Sequence, residues 1–312
     1  MKSHSLGSIN DIDTRNYIGE LKYDGRRGQI VVQEDGSVNT FSSSLKDQNG
    51  KAPHIEDAAG YLNPGTILDG EWVMFKDGKR GWVDSENVVV PNFTYSAQVM
   101  GSKPERARRR QIELDCPITF VAFDLIARGV DDFVTHLPWH HRRSWLEGIL
   151  RDLGHRYLIP SQILPVSQDS LDKLHELDAE GMMVKHKEGK YHIGKRTGDW
   201  LKLKFSDTHD VVIMGTTRGQ GKYANAIGAI VFGQYRDGVL IERGQCSGMN
   251  DETRYAVATN PDDFIGTVME VRAMGSVPGS DSFRHPQFVR FRDNEDKTTS
   301  IVTGKHIGRA HV

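Results

Sequence analysis

An α+β fold in two domains is predicted: an N-terminal domain of antiparallel sheets flanked by helices, then a C-terminal barrel of the OB type. Three observations predict it. The chain has 312 residues, more than one hydrophobic core ordinarily serves. Strand-like and helix-like stretches alternate as far as Ser206. From Asp207 onward, short strand-like runs separated by glycine-bearing turns surround one helix-like stretch, as in a small Greek-key barrel. The boundary falls between Phe205 and Thr208, giving domains 1–206 and 207–312.

The elements follow in order. "GQIVVQED" (Gly28–Asp35) is rich in β-branched residues and ends in a Asp-Gly turn, and "VNTF" resumes after it, which predicts a hairpin. "TILDGEWVMFKDG" reads as a second strand pair, or a strand running into a turn. "TFVAFDLIA" (Thr119–Ala127) is a short apolar run suited to a buried strand. In "LPWHHRRSWLEGILRDLG" the spacing of Trp139, Arg143, Leu146 and Leu150 predicts a helix that stops at Gly154. "DSLDKLHELDAEG" predicts a shorter helix capped by Asp169 or Ser170. In the second domain the predicted strands are "DVVIMGTT", "AIGAIVFGQY", "VLIERGQCSG", "GTVMEVRAMG" and "FVRFR", with "NDETRYAVA" as the helix.

Bulk properties exclude several function classes. No apolar run approaches the roughly 18 residues of a membrane span. The polar opening "MKSHSLGSINDIDTRN" lacks the apolar centre of a signal peptide, so a cytoplasmic setting is expected (a host's cytoplasm for a phage-encoded chain). Two cysteines, Cys116 and Cys246, are too few for a disulfide framework or a four-thiolate zinc site. The net charge of -2 rules out a polycation, so a nucleic-acid partner must be gripped by a local basic surface. The candidates are "SKPERARRR" (Ser102–Arg110) and the tail "TGKHIGRAHV"; each reads equally well as a solvated charged face.

The stretch "ELKYDGRR" (Glu20–Arg27) carries the chemistry. A lysine becomes a nucleophile only where burial or neighbouring positive charge favours its neutral form. Arg26, Arg27 or a metal can supply that charge to Lys22, and Gly25 would let a phosphate approach. A charged surface turn is the plain alternative. Downstream stand "LDGEW" (Leu68–Trp72), "FVAFDL" (Phe120–Leu125), "EGMMVK" (Glu180–Lys185) and "WLKLKF" (Trp200–Phe205). Taken singly, the phenylalanines read as core, "DGE" as a turn and "WLKLK" as an edge strand with lysines facing water.

As an ordered set these motifs resemble the covalent nucleotidyltransferase superfamily of ATP-dependent DNA ligases, RNA ligases and mRNA capping enzymes. The resemblance runs from about Glu20 to Lys297. "GQGKYANAIGAIVFG" resembles the opening of the ligase OB domain, and "FRHPQFVRFRDNEDK" its closing motif. It implies an N-terminal adenylation domain in which Lys22 attacks the α-phosphate of ATP and forms lysyl–AMP. It further implies Glu20, Arg27, Glu71, Phe123, Lys185, Lys202 and Lys204 around the nucleotide, with Phe123 stacked on adenine and Phe120 as its rival. Glu180, with Glu71, would hold Mg2+ or Mn2+. Arg290 and Arg292 would orient the pyrophosphate when the OB domain closes over ATP.

Within the superfamily, the text around Phe123, the tryptophan before "KLK" and the closing arginines resemble ATP-dependent DNA ligases. "KYDGRRGQI" most resembles the small phage-type enzymes. Only about 20 residues precede Lys22, too few for the extra N-terminal domain of large eukaryotic or NAD-dependent ligases, so ATP is the expected cofactor. The expected substrate is nicked duplex DNA held by a monomer, with AMP passing to the 5′-phosphate and the 3′-hydroxyl then sealing the strand. Two departures stand out. "RFRDNEDK" sets two extra residues between Arg292 and Asp296-Lys297, leaving Asp293 or Asp296 for the closing motif. The family's serine-arginine element is not evident in "FSSSLKDQ", where Lys46 is the substitute. Lys103, Arg106, Arg108, Arg109 and Arg110 are further candidates for the DNA grip. The alternatives are an RNA ligase, a GTP-using capping-type enzyme, or a non-catalytic DNA-end-binding protein.

Overall fold

The computed structural model describes residues 1–75, 93–177, 179–277 and 280–292. Its chain divides into two compact units, Met1–Lys204 and Phe205–Val312. The first unit begins β1 (Lys2–Ser5), β2 (Tyr17–Leu21), β3 (Arg26–Val32), β4 (Val38–Ser42), α1 (Pro53–Ala59) and β5 (Thr66–Val73). It continues with α2 (Phe93–Met100), α3 (Pro104–Glu113), β6 (Thr119–Arg128), α4 (Trp139–Leu153), β7 (Leu158–Pro160) and β8 (Ile163–Leu164). α5 (Gln168–Glu176), β9 (Gly181–His186) and β10 (Arg196–Lys204) complete it.

These strands form two five-stranded sheets, ordered β1-β10-β9-β2-β8 and β4-β3-β5-β6-β7. Alternation along the strands of the second sheet gives it two apolar faces. One face sends Ile30, Leu68, Trp72 and Phe120 into the main core, against Ile55 of α1, Val99 of α2, Ala107 of α3 and Leu146 of α4. Its other face joins a smaller cluster containing Met1, Phe123, Met183, Tyr191 and Trp200. That cluster takes residues from both sheets, so the site described below is built between them.

The predicted hairpin is β3–β4, turning through Gly36 at φ 83°. The "TILDGEW" run is a single strand, β5, and its continuation past Phe75 lies outside the described residues. α4 ends as predicted, with Gly154 left-handed at φ 61°. The cap of α5 is instead Ser167, whose hydroxyl accepts from the Ser170 amide at 3.3 Å. Its extended φ of -143° puts the hydroxyl in reach of the free amides of the first turn, whereas Asp169 and Ser170 already lie inside the helix. "WLKLK" is not an edge strand: β10 lies between β1 and β9.

The second unit contains β11 (Asp207–Arg218), β12 (Ile227–Arg236), β13 (Val239–Cys246), α6 (Asp251–Thr259), β14 (Val268–Ala273) and β15 (Gln287–Phe291). These are the five predicted strands and one helix. Their order is β13-β12-β11-β14-β15, and a parallel bridge between Ser247 and Gln287 joins the two outer strands, closing the sheet in the OB manner. Phe232, Val257, Met269 and Phe283 centre its core. The closing-motif residues Asp293, Asp296 and Lys297, and the basic tail, lie outside the described residues. Among the described residues, no helix is long and apolar enough to cross a membrane.

Candidate active site

Lys22 sits in the turn between β2 and β3, its amide donating to the Gly181 carbonyl at 3.0 Å. Two glycines make this turn possible. A Cβ on Gly25 would stand 2.2 Å from the Trp72 carbonyl oxygen, so the glycine lets the turn lie against β5 rather than leaving room for a phosphate. Gly181 has φ +145°, and a Cβ there would meet the Leu203 carbonyl oxygen at 2.0 Å. Glu180, just before it, is thereby carried to the Lys22 amine, with which it forms a hydrogen-bonded ion pair. Lys204 joins Glu180 from β10 at 2.9 Å.

The charges here are uneven. Burial alone would raise the Glu180 pKa, but Lys22 and Lys204 together hold it below the usual carboxylate range. Glu71, on β5, moves the other way. Burial pushes its carboxyl up to about 8, aided by Glu180 and Asp69 and opposed by Lys22 and Arg27. Lys202 has no ion pair through its amine among the described residues. Burial, then the positive charges of Lys204, Arg196 and Lys22, depresses its pKa.

A second cluster continues from the first. Arg27 lies directly opposite Glu71 in the β3–β5 register, yet its guanidinium reaches diagonally to Asp69. The pairing is bidentate, at 3.1 and 2.6 Å, and Asp69 is fully buried. Tyr191 donates to the same carboxylate at 2.7 Å, and the Met1 carbonyl accepts from Arg27 at 2.6 Å. Burial opposes the guanidinium's charge, but Asp69 outweighs it and raises the Arg27 pKa. Removing Asp69 would strand a largely buried charge, a loss of about 3–5 kcal/mol. Arg27 also stands over the rings of Phe123 and Trp200, at 5.5 and 5.8 Å.

Strand alternation turns Phe123, three residues after Phe120, to the opposite face of β6, where it sits at a bulge. Between the pairs Gly70–Ala122 and Asp69–Asp124, β6 carries one residue more than β5, and that residue is Phe123. It meets Trp200 edge-on, with ring centroids 5.7 Å apart. Phe120 points into the main core, fully buried against Trp72 at 4.6 Å, so it presents no face to a ligand. Lys185, 1% exposed, donates to the Phe123 carbonyl at 2.7 Å and to Glu20 at 3.0 Å. Burial lowers its pKa against the pull of Glu20. Glu20 is thus spent on Lys185, with Arg143 at 3.9 Å behind it.

The structure therefore brings Lys22, Glu71, Glu180, Lys202 and Lys204 together. Next to them stand Arg27 and Phe123, and Lys185 and Glu20 lie beneath. It does not bring the predicted basic helix there: α3 packs through Ala107 on the opposite face of the second sheet. On it Arg108 donates to the Gly50 carbonyl, Arg109 and Arg110 pair with Glu113, and Lys103 precedes the first turn. Lys46 is exposed in the loop after β4. Arg290 and Arg292 belong to the second unit, where they pair with Glu270 and Asp210, each at 2.8 Å.

Sequence reasoning missed Asp69, Tyr191 and the buried pair Arg142–Asp124, whose bonds of 2.7 and 2.9 Å tie α4 to the residue after Phe123. Asp69 stood inside a motif already singled out, two residues before Glu71, and that same-face spacing was its signal. Tyr191 carried none. Glu71 and Glu180 are two carboxylates of different protonation beside one amine. That donor set suits a hard divalent cation, which takes one or two carboxylates and completes its shell with phosphate oxygens and water.

Residues 1–204 match the ATP dependent DNA ligase domain family. The DNA ligase of Caldivirga maquilingensis is 31% identical over 234 residues, 70% of this chain and 36% of that protein. That of Haloferax volcanii is 30% identical over 221 residues, 68% of this chain and 35% of that one. The chain thus spans about a third of the length of such relatives. Among solved structures, a Lig E DNA ligase described as binding DNA with a minimal scaffold superposes with a TM-score of 0.68 at 19% identity. The match covers 94% of this chain and 100% of that one.

Proposed function

The chain belongs to the ATP-dependent DNA ligase domain family, and on that premise we propose that it seals nicks in duplex DNA through a lysyl–AMP intermediate on Lys22. The observation that carries the reading is the Lys22 amine, held against Glu180, which Lys204 also pairs with, while Lys202 stands near without an ion pair of its own among the described residues.

The residues divide the work as follows. Lys22 must lose a proton before it attacks, and Glu180 is the acceptor in contact with it. Its nitrogen bonds to the α-phosphorus of ATP as the bond to the bridging oxygen breaks and pyrophosphate leaves. Lys202 and Lys204 neutralise charge on the phosphate, acting from fixed positions on an interior strand. Phe123 offers its ring to the adenine, and Arg27, locked by Asp69, faces ribose or phosphate. Lys185 and Glu20 hold the Phe123 backbone from below. Glu71 and Glu180 are the residues that would hold Mg2+ or Mn2+, which would supply charge neutralisation on the phosphates. AMP then passes to the 5′-phosphate of a nick, and attack by the 3′-hydroxyl releases it.

The test is incubation with α-labelled ATP and magnesium, without DNA, followed by a denaturing gel. Label from ATP alone is expected, absent in Lys22→Ala and discharged by nicked duplex. Label from GTP instead would move the protein to the capping branch. No label from either nucleotide would leave a DNA-end-binding protein as the reading.

A further inference from the structure

The loop from Ser42 to Lys46 is closed by its own hydrogen bonds. The Ser42 amide donates to the Lys46 carbonyl at 2.9 Å, and the Leu45 amide to the Ser42 carbonyl at 2.8 Å. The Lys46 amide donates to the Ser42 hydroxyl at 3.1 Å, and the Ser43 amide to the Arg27 carbonyl at 3.0 Å. At its tip Leu45 adopts φ +59°. The other described non-glycine residues with positive φ are Asp115, Asp131, Asp237 and His285. Aspartate and histidine tolerate this region, whereas a bulky apolar residue there is an outlier. Burial offers no compensation, because Leu45 is 69% exposed. The fold would be served better by glycine.

A strained residue that gives the core nothing is characteristic of a functional surface. The position of the loop says which one. Ser42 pairs with Gly28 near the start of β3, so residues 43–46 continue past the same end of the sheet as the Lys22 turn. Lys46, exposed beside Leu45, adds a positive charge that suits a phosphate backbone.

We propose that Leu45 is an apolar anchor that seats duplex DNA beside the nick, pressing its side chain against the sugar and base edges of the groove while Lys46 meets a phosphate. The assignment rests on the ligase reading for its partner. Apolar side chains projecting into the groove are an established means of fixing a duplex without reading its sequence. The strained backbone holds Leu45 outward at a defined angle, which a flexible glycine would not do.

The test is binding of a fluorescent nicked duplex by the full chain, without ATP, over a range of salt concentrations. Leu45→Gly should weaken binding about 3–10-fold, the loss of a partly buried leucine contact. The slope of affinity against salt should not change, since no ionic contact is removed, while Lys46→Ala should reduce that slope by about one. The urea midpoint of Leu45→Gly should stay level or rise, because the strain is relieved. Unchanged affinity, or a fall in affinity that tracks a fall in stability, would overturn the proposal. Label transfer from ATP is scored separately: a parent that binds duplex but takes no label defeats the ligase reading and leaves Leu45 judged by affinity.

Discussion

Glu71 and Glu180 approach one lysine from different sheets, and their neighbours decide their charge. Glu180 has two amines within bonding distance, whereas Glu71 has burial as its largest influence. Glu71 keeps its proton to about pH 8 in the folded protein, against about 4.3 for an unfolded glutamate. Between those values the unfolded chain releases a proton that the folded chain retains, so its contribution is full below pH 4 and is lost as pH rises through 8. Glu71→Gln, free of nucleotide, should therefore exceed the parent in stability by about 5 kcal/mol at pH 8.5 and nearly match it near pH 4.5. Urea unfolding at the two pH values measures this, and a gap independent of pH would refute it. Arg27 shows the complementary lesson: its motif marked it for the nucleotide, but its direction is set by Asp69 and Tyr191, far apart in sequence.

At the scale of elements, alternation along β6 sends Phe120 and Phe123, three residues apart, to opposite faces, one ring to the core and the other to the site, and the extra residue at 123 returns Leu125 to the core face. The hairpin β3–β4, helix α4 and all the strands of the second unit were legible because hydrophobic period and turn residues are local properties. Taken singly, "WLKLK" also suited an edge strand, but β10 lies inside its sheet, with Lys204 paired to Glu180. One cap was misread for a physical reason. The α5 cap was misplaced because Ser167, Asp169 and Ser170 are all competent caps by type, and only backbone geometry selects among them. Ser167→Ala should cost about 1 kcal/mol, measurable by urea unfolding, while Ser170→Ala should cost less because its hydroxyl caps no amide.

For the molecule as a whole, a net charge of -2 means that any grip on DNA is local. Basic α3 is on the far face of the second sheet from Lys22, and three of its arginines already have partners. Arg106 is exposed without one among the described residues. Substituting Arg106 and Arg109 by alanine should change nick affinity less than twofold and leave the salt slope within about half a unit, far less than two phosphate contacts would require. A drop of two in the slope would return α3 to the DNA interface. The same titration reports on Lys46, so one series ranks both basic surfaces.

The sequence by itself determined the α+β class, the strands of the second unit and the ordered motifs from which Lys22 is proposed as nucleophile, because period, turn chemistry and residue type at fixed spacing survive without coordinates. Tertiary structure alone decided which carboxylate keeps its proton, which phenylalanine faces the site, where Arg27 points, and that Leu45 stands strained and exposed. Each of those outcomes depends on burial and on partners from other strands. Lys22 and Glu180 are 158 residues apart along the chain, and only folding makes them neighbours.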